Sequence, residues 1–182
     1  FYDNGCRDFQ SLTAELGSLM AMHQEQNIGE ITNADQIVLL YSHTAEGKLC
    51  AKVNAEILRT KLCANTTVYH LEGLSAQSFT PNEDIAKIFV KQGLKSFQRG
   101  IKQTVESFRQ QFPEGKIFIN ITGGYKVLAP FSTIFAHNLS MNVLYLYERS
   151  NKIIWFPYGY LESMVENPER DPSEGIEVGI TR

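Results

Sequence analysis

Short apolar runs alternate along this chain with longer stretches in which apolar residues recur at helical spacing. The runs rich in β-branched and aromatic residues lie at 36–41, 66–71, 117–121, 142–148 and 152–157. Helical spacing covers about 8–26, 47–62, 82–111 and 126–138. Runs of the first kind are typical of strands covered on both faces, and alternation of such strands with helices predicts an α/β domain.

Three details of the predicted helices can be tested. In the helix at 47–62, the apolar residues Leu49, Val53, Ile57 and Leu58 are expected to form the buried face. In the long helix at 82–111, Gly93 and Gly100 are expected to permit close packing. In the last helix, Pro130 should cause a kink or a delayed start, because it has no backbone donor.

The two final strands are separated by a short turn at 149–151, which predicts an antiparallel β-hairpin. The periodicity ends near Tyr160, so residues 1–160 are expected to form the domain and 161–182 a tail or linker. The order of elements predicts a Rossmann-like three-layer sandwich with a mostly parallel central sheet and this C-terminal hairpin. That fold needs a further strand before Phe1. We expect an upstream segment, because the chain does not begin with Met.

Composition narrows the class of protein. A chain of 182 residues fits one domain better than two. Its 17 Lys and Arg and 20 Asp and Glu give a net charge of −3, which disfavours binding to long nucleic acid. Cys6, Cys50 and Cys63 have no metal-site spacing, so we expect reduced thiols, no zinc or other metal ion, and no cofactor. No membrane segment or signal peptide is visible, and we expect a cytoplasmic protein.

The strand at 117–121 leads into residues suited to binding an anion. Thr122 is followed by Gly123 and Gly124, which allow close approach to the main chain, and Lys126 adds a charge where a helix is expected to begin. A tight turn with a solvated lysine explains the same residues equally well. The loop has neither the Walker pattern nor the G-x-G-x-x-G pattern, which argues against nucleoside triphosphatases and dinucleotide enzymes.

A second loop with small hydroxyl residues follows the strand at 36–41. Ser42 and Thr44 are expected either to cap the next helix or to face a ligand. His43 is a candidate general base or a side chain that stacks on a nucleobase, although a solvated loop histidine is the commoner case. The sequence leaves both alternatives open.

Five blocks of sequence occur in the order found in one known family. They are AELGSL at 14–19, LYSHTAEG at 40–47, NITGGYK at 120–126, VLYLYE at 143–148 and IIWFP at 153–157. Together they resemble the CRISPR-associated Rossmann-fold, or CARF, domain over about residues 1–160. The most specific block is N-x-T-G-G-[FY]-K.

The resemblance implies a homodimeric sensor in type III CRISPR antiviral defence that binds a cyclic oligoadenylate, here cyclic tetra-adenylate, and regulates a fused or associated effector. The implied ligand-binding residues are Ser42, His43, Thr44, Asn120, Thr122, Gly123, Gly124, Tyr125 and Lys126. In this picture the glycine N–H groups and the Lys126 ammonium hold phosphates, Asn120 or Thr122 orients the loop or contacts ribose, and the 42–44 loop approaches the adenines.

Two departures from the family pattern limit the comparison. The family's first loop motif would precede Phe1, so its hydroxyl residue is not assigned. The usual S-D-T is Ser42-His43-Thr44 here, which leaves the role of the middle residue open.

Two other functions are compatible with the same residues. Some family members cleave the ring, and Lys126 would then be catalytic, stabilising charge while a ribose 2′-OH attacks the adjacent phosphate without a metal. The other is a nucleotide-using enzyme of general Rossmann type.

Overall fold

The computed structural model describes residues 13–24, 30–42, 44–74, 85–124, 126–147 and 152–160, the single positions 163, 166, 167, 169 and 171, and the backbone of 177–180. Within these ranges the chain has a mixed α/β architecture. It divides into two compact units, one formed by Phe1–Glu30 with Glu114–Arg182 and the other by Ile31–Pro113. Each unit is described by itself.

The elements follow the chain in this order. The helices are α1 (Ala14–His23), α2 (Ala45–Lys61), α3 (Ile85–Ile88), a π-helical segment (Phe89–Gly93), α4 (Leu94–Gln111) and α5 (Leu128–Asn138). The strands are β1 (Gln36–Ser42), β2 (Asn65–Leu71), β3 (Phe118–Asn120), β4 (Asn142–Leu146), β5 (Lys152–Phe156) and β6 (Glu177–Ile180).

The Ile31–Pro113 unit contains a parallel pair of strands with helices packed on it. β1 and β2 pair from Gln36 opposite Asn65 to Ser42 opposite Leu71. α2 contacts both strands, and α4 contacts β2. α4 lies so close to β2 that a Cβ at Gly100 would be 2.8 Å from the Tyr69 ring. In the π-helical segment before α4, a Cβ at Gly93 would be 2.7 Å from the carbonyl oxygen of Gly73. The close packing predicted at Gly93 and Gly100 is thus confirmed.

The other unit contains a four-stranded sheet in the order β3-β4-β5-β6. β3 and β4 are parallel, whereas β4 with β5 and β5 with β6 are antiparallel. α1 packs on β4 and β5, and α5 packs on β3 and β4. Ala21 of α1, Leu144 and Ile153 are buried together in its core.

Helix boundaries in this unit follow local chemistry. Thr13 caps α1, since its hydroxyl accepts a hydrogen bond from Leu16 N at 3.1 Å. The first-turn position of Pro130 in α5 explains the delayed helix start, because a donor is not required there.

Two expectations need correction, one on the sheet and one on a helix face. The described strands form two sheets with equal numbers of parallel and antiparallel pairings, so a mostly parallel sheet is not seen. β4 and β5 are antiparallel as expected, but the connection at 148–151 lies outside the described residues. Within the range expected to be a tail or linker, β6 pairs with β5, which periodicity could not reveal in so short a strand. The position of the domain boundary stays a prediction.

The second correction concerns α2. Leu49 is 64% exposed and Val53 48%, whereas the buried positions are Ala51, Asn54, Ala55 and Leu58. The predicted face was therefore wrong at Leu49 and Val53 and right at Leu58, because much of the buried side is formed by the smaller residues Ala51, Asn54 and Ala55.

Within the part of the chain that the structure describes, no helix has both the length and the apolar character needed to cross a membrane.

Candidate functional site

A chain of side-chain hydrogen bonds fixes the loop after β3. The Asn120 amide donates to Ser18 Oγ at 2.6 Å, and its carbonyl oxygen accepts from Thr122 N at 3.0 Å. Ser18 lies in α1, is 2% exposed, and donates in turn to the carbonyl of Glu15 at 3.0 Å. Asn120 therefore ties the start of the loop to the first helix.

Thr122 fixes the other side of the loop. Its hydroxyl accepts a hydrogen bond at 2.8 Å from the N–H of Leu146, the last residue of β4. Asn120 and Thr122 are both only partly exposed, and their polar atoms are engaged with the protein. Asn120 and Thr122 were expected either to orient the loop or to contact ribose. Their hydrogen bonds fit the first of these roles.

The two glycines meet different requirements. Gly124 has a φ of 90°, and no described residue other than its chain neighbours lies within 4 Å of where a Cβ would stand, so it supplies a left-handed turn beside open space. A Cβ at Gly123 would lie 2.5 Å from Cδ of Glu15 and closer still to its Oε1. The close approach that Gly123 permits is made by a carboxylate of α1.

The loop presents donors that the described protein leaves unused. Among the described residues, neither Gly123 nor Gly124 has a hydrogen-bond partner for its N–H, and no carboxylate pairs with Lys126. Lys126 is exposed just before α5. These groups could hold an anion, since backbone N–H groups and an ammonium are the usual ligands of phosphate oxygens.

The N-terminus of α5 contributes less than the sequence suggested. Ala129 N donates to the carbonyl of Lys126 at 3.2 Å, and Pro130 has no N–H. Of the first three helical residues, only Leu128 therefore has an N–H that is neither absent nor bonded to the carbonyl of Lys126. If an anion binds here, its donors would come from the loop and Lys126 rather than from the helix end.

The residues of the second predicted loop act within their own unit. Thr44 caps α2, because its hydroxyl accepts from Gly47 N at 2.8 Å, and the Ser42 hydroxyl lies 3.4 Å from it. A Cβ at Gly47 would be 2.8 Å from both hydroxyl oxygens. Capping is thus observed for Thr44, and a ligand contact by either residue stays a prediction. His43 and Tyr125 lie outside the described residues.

An open cleft of about 230 Å³ lies in the same unit as the second loop. Its lining is mostly polar and consists of Gln36, Val38, Thr67, Val68, Tyr69, Gln103, Thr104 and Ser107. None of these is a predicted site residue. Because the Tyr69 hydroxyl already donates to Gln103 Oε1 at 3.1 Å, part of this polar lining is internally satisfied.

The sequence interpretation did not identify Glu15 of α1 as a neighbour of the loop. The residue belongs to the first block of the family resemblance, but neither spacing nor charge separates it from an ordinary first-turn acid, which a helix dipole favours. Its contact with Gly123 joins positions more than a hundred residues apart, so no local pattern signals it.

Comparisons with known proteins assign the chain to a family. A search of the curated proteins gives no match. A family model described as CRISPR-associated protein (Cas_APE2256) matches residues 10–159, which include α1, the loop after β3 and strands β1 to β5. Because this match covers most of the sequence, the chain belongs to the CRISPR-associated protein (Cas_APE2256) family.

Proposed function

We propose that the chain is a CARF-type sensor that binds cyclic tetra-adenylate through the loop formed by Gly123, Gly124 and Lys126. The observation that carries the proposal is the unused hydrogen-bonding capacity of this loop. Two N–H groups and an ammonium without protein partners among the described residues stand beside open space at Gly124. CRISPR association of the family supports a nucleotide messenger over other anions. A Rossmann-like layering of the elements is part of the same proposal.

A ring requires a particular assembly. A two-fold dimer carries two identical copies of the loop around one axis, and a ring of four repeating nucleotides shares that symmetry. We therefore infer a homodimer in which one ring engages both copies and regulates a fused or associated effector. Contacts of Ser42, His43, Thr44 and Tyr125 with this ring stay predictions.

Lys126→Ala tests the proposal. A charge-assisted contact with phosphate contributes roughly 1.5–3 kcal/mol. Because the variant loses two such contacts per dimer, its affinity for the ring should fall by about a thousandfold. The matched control is Lys116→Ala, which removes another exposed charge from the same unit before β3 begins. Calorimetric titration with cyclic tetra-adenylate measures both. Equal affinities for wild type and Lys126→Ala would place the ligand site elsewhere.

Ring cleavage is the second candidate function, and the ammonium of Lys126, which has no partner in the part of the chain that the structure describes, favours it. A ribose 2′-OH would attack the neighbouring phosphorus, the P–O5′ bond would break, and the proton would pass from the 2′-oxygen to the leaving 5′-oxygen. The products would be linear adenylates with a 2′,3′-cyclic phosphate. Lys126 would stabilise the extra negative charge on the phosphorane.

Product analysis separates the two functions. Cyclic tetra-adenylate is incubated with excess protein and the mixture is examined by chromatography for linear adenylates. A sensor returns the ring intact, whereas a ring nuclease converts it and loses most of that activity in Lys126→Ala. Binding without conversion, even after prolonged incubation, would exclude the nuclease.

A further inference from the structure

The glycine loop has two sides of opposite electrostatic character. On one side the Glu15 carboxylate lies against Gly123, so closely that a Cβ there would overlap it. On the other side the space around Gly124 is open, and the exposed Lys126 follows two residues later. The two sides are separated only by the peptide unit that joins Gly123 to Gly124.

This polarity restricts where a phosphate can bind. An ionised carboxylate only accepts hydrogen bonds and repels another anion at short distance. A phosphate placed where a Gly123 side chain would stand would therefore meet Glu15, whereas one beside Gly124 would meet no described side chain and would lie two residues from Lys126 along the chain. The phosphate belongs on the Gly124 side, and the part of the ligand that reaches Glu15 must be a hydrogen-bond donor.

The spacing selects the kind of donor. Consecutive Cα atoms are about 3.8 Å apart, so the donor must be within a few ångströms of the phosphate. In a 3′–5′ linked ribonucleotide the 2′-OH is adjacent to the 3′-phosphate, whereas the amino group of adenine is at the far end of the base. A ribose hydroxyl fits this requirement and the adenine amine does not.

We propose that Glu15 accepts a hydrogen bond from a ribose 2′-OH and makes the loop specific for ribonucleotide over deoxyribonucleotide rings. The inference rests on the proposed function and adds a specificity-determining residue to it. It also explains why Gly123 has no side chain: the space is needed for the carboxylate to reach the sugar beside the phosphate.

The test compares cyclic tetra-adenylate with its all-deoxy counterpart by calorimetry in wild type and in Glu15→Ala. Because a hydrogen bond to a charged acceptor is involved, wild type should bind the ribose ring at least about tenfold more tightly. Glu15→Ala should bind the two rings with nearly equal affinity. Glu15→Gln keeps the size and one acceptor oxygen, and it should retain part of the preference.

Two controls make the result specific to Glu15. Lys126→Ala should weaken the binding of both rings and leave the ratio of the two affinities unchanged. Glu114 is an exposed acid of the same unit, and Glu114→Ala should change neither affinity. An undiminished preference for the ribose ring in both folded Glu15 variants would overturn the assignment while leaving the proposed function intact. Absence of any preference in wild type would do the same. If wild type bound neither ring, both proposals would be wrong.

Discussion

At the residue scale, the loop after β3 separates residues that shape it from residues that are free to bind. The side chains of Asn120 and Thr122 form hydrogen bonds with Ser18 and with the backbone of the loop and β4. Gly124 and Lys126 lack partners among the described residues. The sequence identified all four as one group, but it could not divide them, because the division depends on α1 and β4, which are distant in the chain.

Replacing Asn120 with alanine should destabilise the fold. The change leaves Thr122 N without its acceptor and removes a donor from the buried Ser18 hydroxyl, at a cost of about 1–3 kcal/mol. Urea denaturation measures the free energy of unfolding. Asn138→Ala, at an exposed amide of α5, is the control and should change it by no more than about 0.5 kcal/mol. Equal losses in both variants would contradict the anchoring role of Asn120.

The contact between Gly123 and Glu15 predicts a coupled pair of mutations. Gly123→Ala should cost about 1–3 kcal/mol because its methyl group overlaps the carboxylate, and the cost should fall in a Glu15→Ala background. Gly124→Ala should cost about 1–2 kcal/mol in both backgrounds, since its φ of 90° is the cause. Urea denaturation of the double-mutant cycle measures the coupling. A Gly123→Ala cost that is unchanged in the Glu15→Ala background would mean that the two residues do not touch.

At the scale of elements, the sequence predicted helices and strands well where periodicity is strong. The stripe of α4 is an example, with Phe97, Ile101 and Val105 all buried. For α2 the sequence predicted Leu58 correctly but not Leu49 and Val53, because alanine carries little hydrophobic signal and yet Ala51 and Ala55 form part of the buried face. It also missed β6, which has four residues and is identified by its pairing with β5.

Two glycines of the long helical region should respond differently to substitution. At Gly93 a Cβ would lie 2.7 Å from the carbonyl oxygen of Gly73, which is backbone and cannot move easily. At Gly100 the nearest atom is the edge of the Tyr69 ring at 2.8 Å, which can shift. Alanine recovers about 1 kcal/mol of helix propensity at either position.

The net outcome should therefore differ between the two variants. Gly93→Ala is expected to lose about 1–3 kcal/mol of unfolding free energy, whereas Gly100→Ala should stay within about 1 kcal/mol of wild type. Both values come from urea denaturation followed by circular dichroism. A larger loss of unfolding free energy in Gly100→Ala than in Gly93→Ala would show that the turn at Gly73 moves more easily than the ring of Tyr69.

At the scale of the whole molecule, family membership and unused hydrogen-bonding capacity lead to the same proposal from independent directions. The family match provides CRISPR association, and the loop has two N–H groups and an ammonium without partners among the described residues. A sequence cannot show which donors are already satisfied, and a single chain carries one copy of the loop. The proposed ring needs two copies, so assembly is the property to measure first.

Light scattering should give a mass about twice the 20.6 kDa of one chain. A ring with two-fold symmetry can engage two loops only if the faces that carry them come together. The measurement is made with and without cyclic tetra-adenylate. A monomer under both conditions would contradict the homodimer.

Thermal unfolding should then show whether the assembly binds the ring. At a concentration a hundredfold above the dissociation constant, a ligand that binds only the folded protein contributes about 2.7 kcal/mol. For a chain of this size that corresponds to a rise in Tm of roughly 5–10 °C. ATP, NAD and linear adenylates should raise Tm much less, because none of them engages two loops at once. Lys126→Ala should unfold at the wild-type temperature without ligand and lose the rise with it. An unchanged Tm of wild type with both tetra- and hexa-adenylate rings would contradict the sensor.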